Sequence, residues 1–168
     1  SEIGHYQAPG EAWAVAVHGD RLYLAAGEQG GLRVLDVSDP ALPVEMGFLD
    51  LPYGAYDIAV IWPHAFVADG GSLRIVEVSS PEAPEEIGIY QGVSLRDVVA
   101  HAPYVFASGS EDGLYALNMQ DPAAPELAGY YHSPYVSAIW AAEGWLYAAD
   151  GAAGLRILDY SQGGALIQ

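Results

Sequence analysis

The chain states one phrase four times. Leu32-Arg33-Val34-Leu35-Asp36-Val37-Ser38-Asp39-Pro40 returns as Leu73-Arg74-Ile75-Val76-Glu77-Val78-Ser79-Ser80-Pro81, then as Leu114-Tyr115-Ala116-Leu117-Asn118-Met119-Gln120-Asp121-Pro122, and last as Leu155-Arg156-Ile157-Leu158-Asp159-Tyr160-Ser161. The leading leucines stand at 32, 73, 114 and 155, a constant step of 41 residues. A fixed period of roughly 20–50 residues marks a solenoid, a propeller or an array, because one such unit cannot bury its apolar face alone and must stack on its neighbours.

Three further stretches recur with the phrase. Outer segments run Pro43 to Leu49, Pro84 to Tyr90 and Pro125 to Tyr131, each with a glycine at 47, 88 or 129, and Gly4 aligns with these. Inner segments rich in Ala and Val begin at Ala12, Ala55, Leu95 and Val136, and a short apolar run follows each one at Leu22, Ala65, Val105 and Leu146. All are short, β-branched or aromatic, and bounded by Gly, Pro, Asp and Ser, which is strand composition. Gly27 to Gly31, Gly70-Gly71 and Gly151 to Gly154 separate the third and fourth runs, where hairpin turns need positive φ. Proline pairs such as Pro40 and Pro43 end each unit, because proline cannot donate to a strand ladder. Four antiparallel strands in about 41 residues make the blade of a β-propeller. The expected fold is all-β: one propeller unit over residues 1–168, with an N-terminal outer strand over about 1–9 and repeats over about 10–50, 51–91, 92–132 and 133–168.

The phrases beginning at Gly31-Leu32-Arg33 and Leu73-Arg74-Ile75, the latter preceded by Ala68-Asp69-Gly70, resemble the LVIVD-repeat family of propeller-forming repeats. The third unit departs most, with Tyr115 for the arginine and Asn118 for the acid, and the fourth ends on Ser161-Gln162-Gly163 instead of a proline. The resemblance implies a propeller scaffold and an extracellular or cell-surface location. It carries no shared catalytic motif.

The repeat register also bears on closure. Ile167 and Gln168 take the places of Glu126 and Leu127, and Ser1 and Glu2 take the same two places when Gly4 is aligned with Gly129. The N-terminal strand is therefore expected to complete the last blade. Two assemblies satisfy that register: an eight-bladed, two-fold homodimer exchanging terminal strands, or a closed four-bladed monomer. The dimer fits better, since four blades need a steep and crowded centre, and a fragment of a longer chain is the third possibility. Closure in either form hides strand edges that would otherwise template aggregation.

Charge excludes whole classes of partner. The chain carries 5 basic and 22 acidic residues, net −17, and every basic residue is an arginine. Nucleic acid needs clustered positive charge, and anionic membrane surfaces are disfavoured for the same reason. No apolar run reaches the length of a membrane span, so no membrane insertion is expected. Absence of lysine and cysteine removes Schiff-base, thiolate and cysteine-metal chemistry. The chain opens on Ser1 instead of Met, the pattern of a processed or shortened product.

Candidate chemistry lies on the inner strands and the loops that enter them. Asp57 and Asp97 share a repeat position near the axis, where two carboxylates suit a cation such as Ca²⁺. Their commoner role is pairing with an arginine or accepting backbone hydrogen bonds. Asp39, Asp69, Asp121 and Asp150 precede a turn glycine or a proline and are expected in Asx-turns. Ser108 to Gly113 lacks the acid spacing of a calcium loop and reads as an exposed hairpin. The five histidines show no ligand spacing, and no nucleophile elbow occurs.

Trp13, Tyr56 and Arg96 share another repeat position, and Tyr53 and Tyr135 lie in the entering loops. These residue types anchor interfaces, although packing between blades is the commoner use of aromatics. The expected function is a non-enzymatic binding or scaffolding propeller that presents loops to a protein or carbohydrate partner, with no cofactor. The alternatives are a metal-dependent hydrolase or lyase using the axial carboxylates, and a structural assembly subunit.

Overall fold

The structure is a computed structural model that describes residues 1–109 and 113–167. Its strands form four antiparallel meanders, one per repeat, in sequence order. The first sheet contains β1 (Ala14–His18), β2 (Arg21–Ala25), β3 (Leu32–Asp36) and β4 (Val44–Leu49). The second contains β5 (Asp57–Ile61), β6 (His64–Ala68), β7 (Ser72–Glu77) and β8 (Glu85–Gln91). The third contains β9 (Asp97–His101), β10 (Tyr104–Gly109), β11 (Gly113–Asn118) and β12 (Glu126–Tyr131). The fourth has three strands, β13 (Val136–Ala142), β14 (Trp145–Asp150) and β15 (Leu155–Asp159). The inner strands β1, β5, β9 and β13 neighbour one another in that order, so the sheets fan out from a common inner edge.

The recurring phrase is a strand that carries its own stop. The acid ending each third strand turns back to accept the backbone N–H two residues on: Ser38 to Asp36 at 2.8 Å, Ser79 to Glu77 at 3.2 Å and Ser161 to Asp159 at 2.7 Å. Asn118 does the same for Gln120 at 3.0 Å, so the third unit keeps the bond while losing the charge. Such local side-chain bonds compete with the ladder and end it. Hydrogen bonding to Ser38 and to Ser161 holds the Asp36 and Asp159 carboxyls below their ordinary range. Asp39 and Asp121 form the expected Asx-turns with Ala41 and Ala123, at 3.0 and 3.1 Å.

Two local features differ from the expected plain hairpins. Gly27–Gly30 forms a single helical turn, α1, and Gly151–Ala153 a 3₁₀ turn, each flanked by positive-φ glycines. The outer pairings are bulged at one repeat position, after Val34, Ile75 and Ala116. Bulges of this kind tighten the twist at a sheet's rim.

Each gap between sheets is filled by one face of the earlier sheet and the opposite face of the later. Tyr23, Leu32 and Val34 of the first sheet meet Ile58, Ala65 and Val67 of the second. Phe66, Leu73 and Ile75 meet Val98, Val105 and Ala107, and Phe106, Leu114 and Ala116 meet Ile139, Leu146 and Ala148.

Residues 1–9 form no strand, in contrast to the expected outer strand over that range. They are nonetheless placed: Tyr6 and Ala8 pack on Leu24, Ala26 and Leu35 of the first sheet, and the Tyr6 hydroxyl donates to the Glu45 carboxylate. The fourth sheet has the beginning of an outer strand, in a bridge between Asp159 and Ile167 that is the repeat equivalent of Asn118 with Glu126. The expectation of four four-stranded blades thus holds for three, and among the described residues of the single chain the N-terminal segment does not pair with the last blade. Pairing is a property of two strand edges, and the alignment of repeats specified one edge without the position of the other. Of the expected Ser108 to Gly113 hairpin, Ser110, Glu111 and Asp112 lie outside the described residues.

Candidate functional site

Trp13, Tyr56 and Arg96 each stand one residue before an inner strand, and the same backbone bond holds each of them. Trp13 N–H donates to Ala25, Tyr56 N–H to Ala68 and Arg96 N–H to Ser108, all at 2.9 Å. The bond extends the inner hairpin by one pair and turns the three side chains onto a single rim. Trp13 and Tyr56 meet edge to face, with ring centres 5.8 Å apart and planes at 61°. The Arg96 guanidinium lies 5.2 Å from the Tyr56 ring centre, within cation–π range.

Turn glycines make room for the rings. A Cβ on Gly27 would stand 2.9 Å from Trp13 Nε1, and one on Gly70 would stand 2.8 Å from a Tyr56 ring carbon. Both glycines have positive φ, so the turn's conformation and the ring's seat depend on the same residue.

Tyr56 divides two clefts. One, of about 470 Å³, is lined by Glu11, Trp13, Glu28, Gln29 and Tyr56; the other, of about 480 Å³, by Glu28, Pro52, Tyr53, Tyr56 and Arg96. A third of about 280 Å³ continues from Arg96 to Tyr135 and Ser137. All five residues expected at a recognition surface therefore line one rim. Trp13, Tyr53, Arg96 and Tyr135 are exposed and Tyr56 is half-buried, so these side chains do not serve as core between sheets. Tyr135 is joined to Arg96 through the third cleft.

Glu28 was not expected here. It lies 3.3 Å from the Tyr56 hydroxyl, which donates to its carboxylate, and it borders both larger clefts. The signal for it is a length difference: the turn between Ala25 and Leu32 is longer than that between Ala68 and Leu73, and α1 fills the excess.

Asp57 and Asp97 act as stitches between sheets. Val98 N–H donates to Asp57 at 2.7 Å and Ile139 N–H to Asp97 at 2.6 Å, each reaching from one inner strand to the next. The arginines of the repeated phrase go elsewhere: Arg74 to Asp69 and Glu86, Arg156 to Asp150 at 3.1 Å, and Arg33 to the Gly30 carbonyl at 2.6 Å. Among the described residues, no three or more His, Asp or Glu side chains converge as a metal site.

Burial pushes the Asp97 carboxyl up to about 7, and the adjacent Asp57 carboxylate adds to the shift, against the pull of the Ile139 and Val98 N–H groups. An acid whose folded pKa exceeds its unfolded value holds a proton that the unfolded chain has released, so the contribution of Asp97 to stability is fully present below its unfolded pKa of about 4 and is lost as pH rises through about 7. Urea midpoints are expected to fall between pH 5 and pH 8, and Asp97→Asn, which keeps an acceptor for Ile139, is expected to flatten that dependence. An unchanged slope in the variant would assign the effect to other groups.

The chain matches the LVIVD repeat model over residues 9–50, 54–92 and 134–166. The longest unmatched stretch falls on the third unit, in which Tyr115 and Asn118 replace the arginine and the acid. No curated protein matches the chain. Among solved structures it is similar to the crystal structure of the computationally designed Ika4 protein, with a TM-score of 0.77 at 9% identity, covering 95% of this chain and 97% of that one. That likeness concerns the propeller-like fold alone. With the model covering more than half of the sequence, the chain belongs to the LVIVD repeat family.

Proposed function

We propose that this chain is a non-enzymatic binding propeller that takes its partner on the rim from Trp13 to Tyr135, outside the cell as the family resemblance implies. The observation that carries the reading is the exposed Trp13–Tyr56–Arg96 array, with its rings seated on turn glycines and its flanking clefts lined by Tyr53 and Tyr135. Exposed Trp, Tyr and Arg in one concave patch are the residues that dominate binding energy at interfaces. Glu11 and Glu28 border the cleft beside Trp13, and the chain is strongly acidic. That combination favours a protein partner offering Lys or Arg side chains, which gain both ring-face and carboxylate contacts.

The test is a screen of basic peptides and neutral glycans against the wild type, Trp13→Ala and Tyr56→Ala. Basic peptides are expected to bind, to weaken with salt, and to lose about tenfold or more in affinity in either variant. Salt-independent glycan binding lost in the same variants would assign a carbohydrate partner. Binding unaffected by both substitutions, or hydrolytic turnover lost on changing Asp57 and Asp97, would overturn the reading.

A further inference from the structure

The first and fourth sheets each leave open a face that the rest of the molecule covers. Val15 is 60% exposed, whereas its repeat equivalents Ile58, Val98 and Ile139 are 5, 5 and 8% exposed because the preceding sheet lies on them. At the other end Leu155 and Ile157 are 66 and 47% exposed, whereas Leu32, Leu73, Leu114, Val34, Ile75 and Ala116 are fully buried by the following sheet. Trp140, also 66% exposed, belongs to this second face, since Ala16, Ala59 and Val99 at its position pack toward the next sheet. The two open faces are therefore the two halves of an interface that the chain already builds three times.

The N-terminal segment supplies an independent observation. A Cβ on Gly4 would stand 2.0 Å from the Pro40 carbonyl oxygen, as one on Gly47 would stand 2.4 Å from that of Pro81 and one on Gly88 2.2 Å from that of Pro122. Gly47 and Gly88 lie on outer strands, and the prolines begin the turn of the next sheet. Gly4 thus sits against the first sheet as the outer strand of a sheet before it would, without that sheet's three other strands. The fourth sheet has those three strands and, among the described residues, a single bridge beyond them.

We propose that a second copy of this chain fills both gaps, making a two-fold ring of eight sheets in which each N-terminal segment becomes the outer strand of the partner's fourth sheet. The isologous arrangement buries each exposed leading face, Val15 and Val17, under the other copy's Trp140, Leu155 and Ile157, and it pairs the outer edge of β15. The register follows from the first sheet, where Leu32, Arg33 and Val34 pair with Leu49, Phe48 and Gly47. Leu155 pairs with Tyr6, Arg156 with His5 and Ile157 with Gly4 of the other copy. The proposal is independent of the ligand.

Light scattering of the 168-residue chain is expected to give the mass of two 17.8 kDa chains. Because the chain has no cysteine, the double variant His5→Cys with Arg156→Cys reports the register directly. Oxidation is expected to yield a covalent dimer on a non-reducing gel. Leu155→Asp, at a site exposed in the single chain, is expected to halve the mass while the far-ultraviolet spectrum of the sheets is kept. An intrachain disulfide at single-chain mass would instead assign a closed four-sheet ring. Free thiols in a monomer, or a ladder of larger species, would equally overturn the proposal.

Discussion

Replacing Asp69 with alanine is expected to destabilise the protein by about 3 kcal/mol or more, the cost typical of breaking a buried ion pair from one side. Asp69 is fully buried. One carboxylate oxygen accepts from Gly71 N–H and Ser72 Oγ, both at 2.9 Å, and the other from Arg74 Nε. Removing it leaves the turn without its organiser and the Arg74 guanidinium, itself 9% exposed, with Glu86 alone at 2.5 Å. The third unit shows what a sheet without this pair contains. Gly109 stands in the place of Asp69 and Tyr115 in that of Arg74, and Tyr115 packs its ring against Tyr130 and Tyr90, with centres 5.1 and 6.3 Å away. Asp69→Gly combined with Arg74→Tyr is accordingly expected to cost less than Asp69→Ala, because no charge is then stranded. Urea unfolding of the three proteins decides it, and a single-variant loss below about 1 kcal/mol would mean that the pair has little weight in the fold.

Gly88→Ala is the second large effect, expected at about 3 kcal/mol. The new methyl would stand 2.2 Å from the Pro122 carbonyl oxygen, with Ala123 Cα at 3.1 Å. These are backbone atoms of the neighbouring turn, which cannot rotate away, so the third and fourth units must shift relative to the second or the outer strand must leave its ladder. Overpacking of this kind costs about 1–3 kcal/mol and more where the obstacle is rigid. A variant that melts with the wild type would show that the outer strands do not set the spacing between sheets.

Glycine at 4, 47, 88 and 129 is visible in the sequence as a recurrence, but its reason is a contact with Pro40, Pro81, Pro122 and Gly164 respectively, far along the chain. The same holds for Asp57 and Asp97. Their spacing placed them on inner strands, and the local pattern suited a cation, a partnering arginine or a backbone bond equally well. The choice depended on Val98 and Ile139 standing opposite with their N–H groups unclaimed by a ladder on that side. Arg74 found Asp69 instead, since both lie within one hairpin, five residues apart. Trp13, Tyr56 and Arg96 were legible as neighbours on one rim because a repeat puts equivalent positions on equivalent rims. Glu28 was not, because its turn is longer than the equivalent one in the second unit and the extra residues have no repeat partners.

Periodicity by itself determined the strands, their order and the two faces that each sheet must cover, since alternation along a strand and recurrence every 41 residues both record burial. Only the tertiary structure decided where the N-terminal residues lie, which carboxylates stitch the sheets, and that Val15 on the first sheet and Leu155 and Ile157 on the fourth are exposed where their repeat equivalents are buried. The physical reason is that a pattern of apolar residues states that a surface is buried, whereas the identity of what buries it depends on the curvature and edges of the assembled sheets.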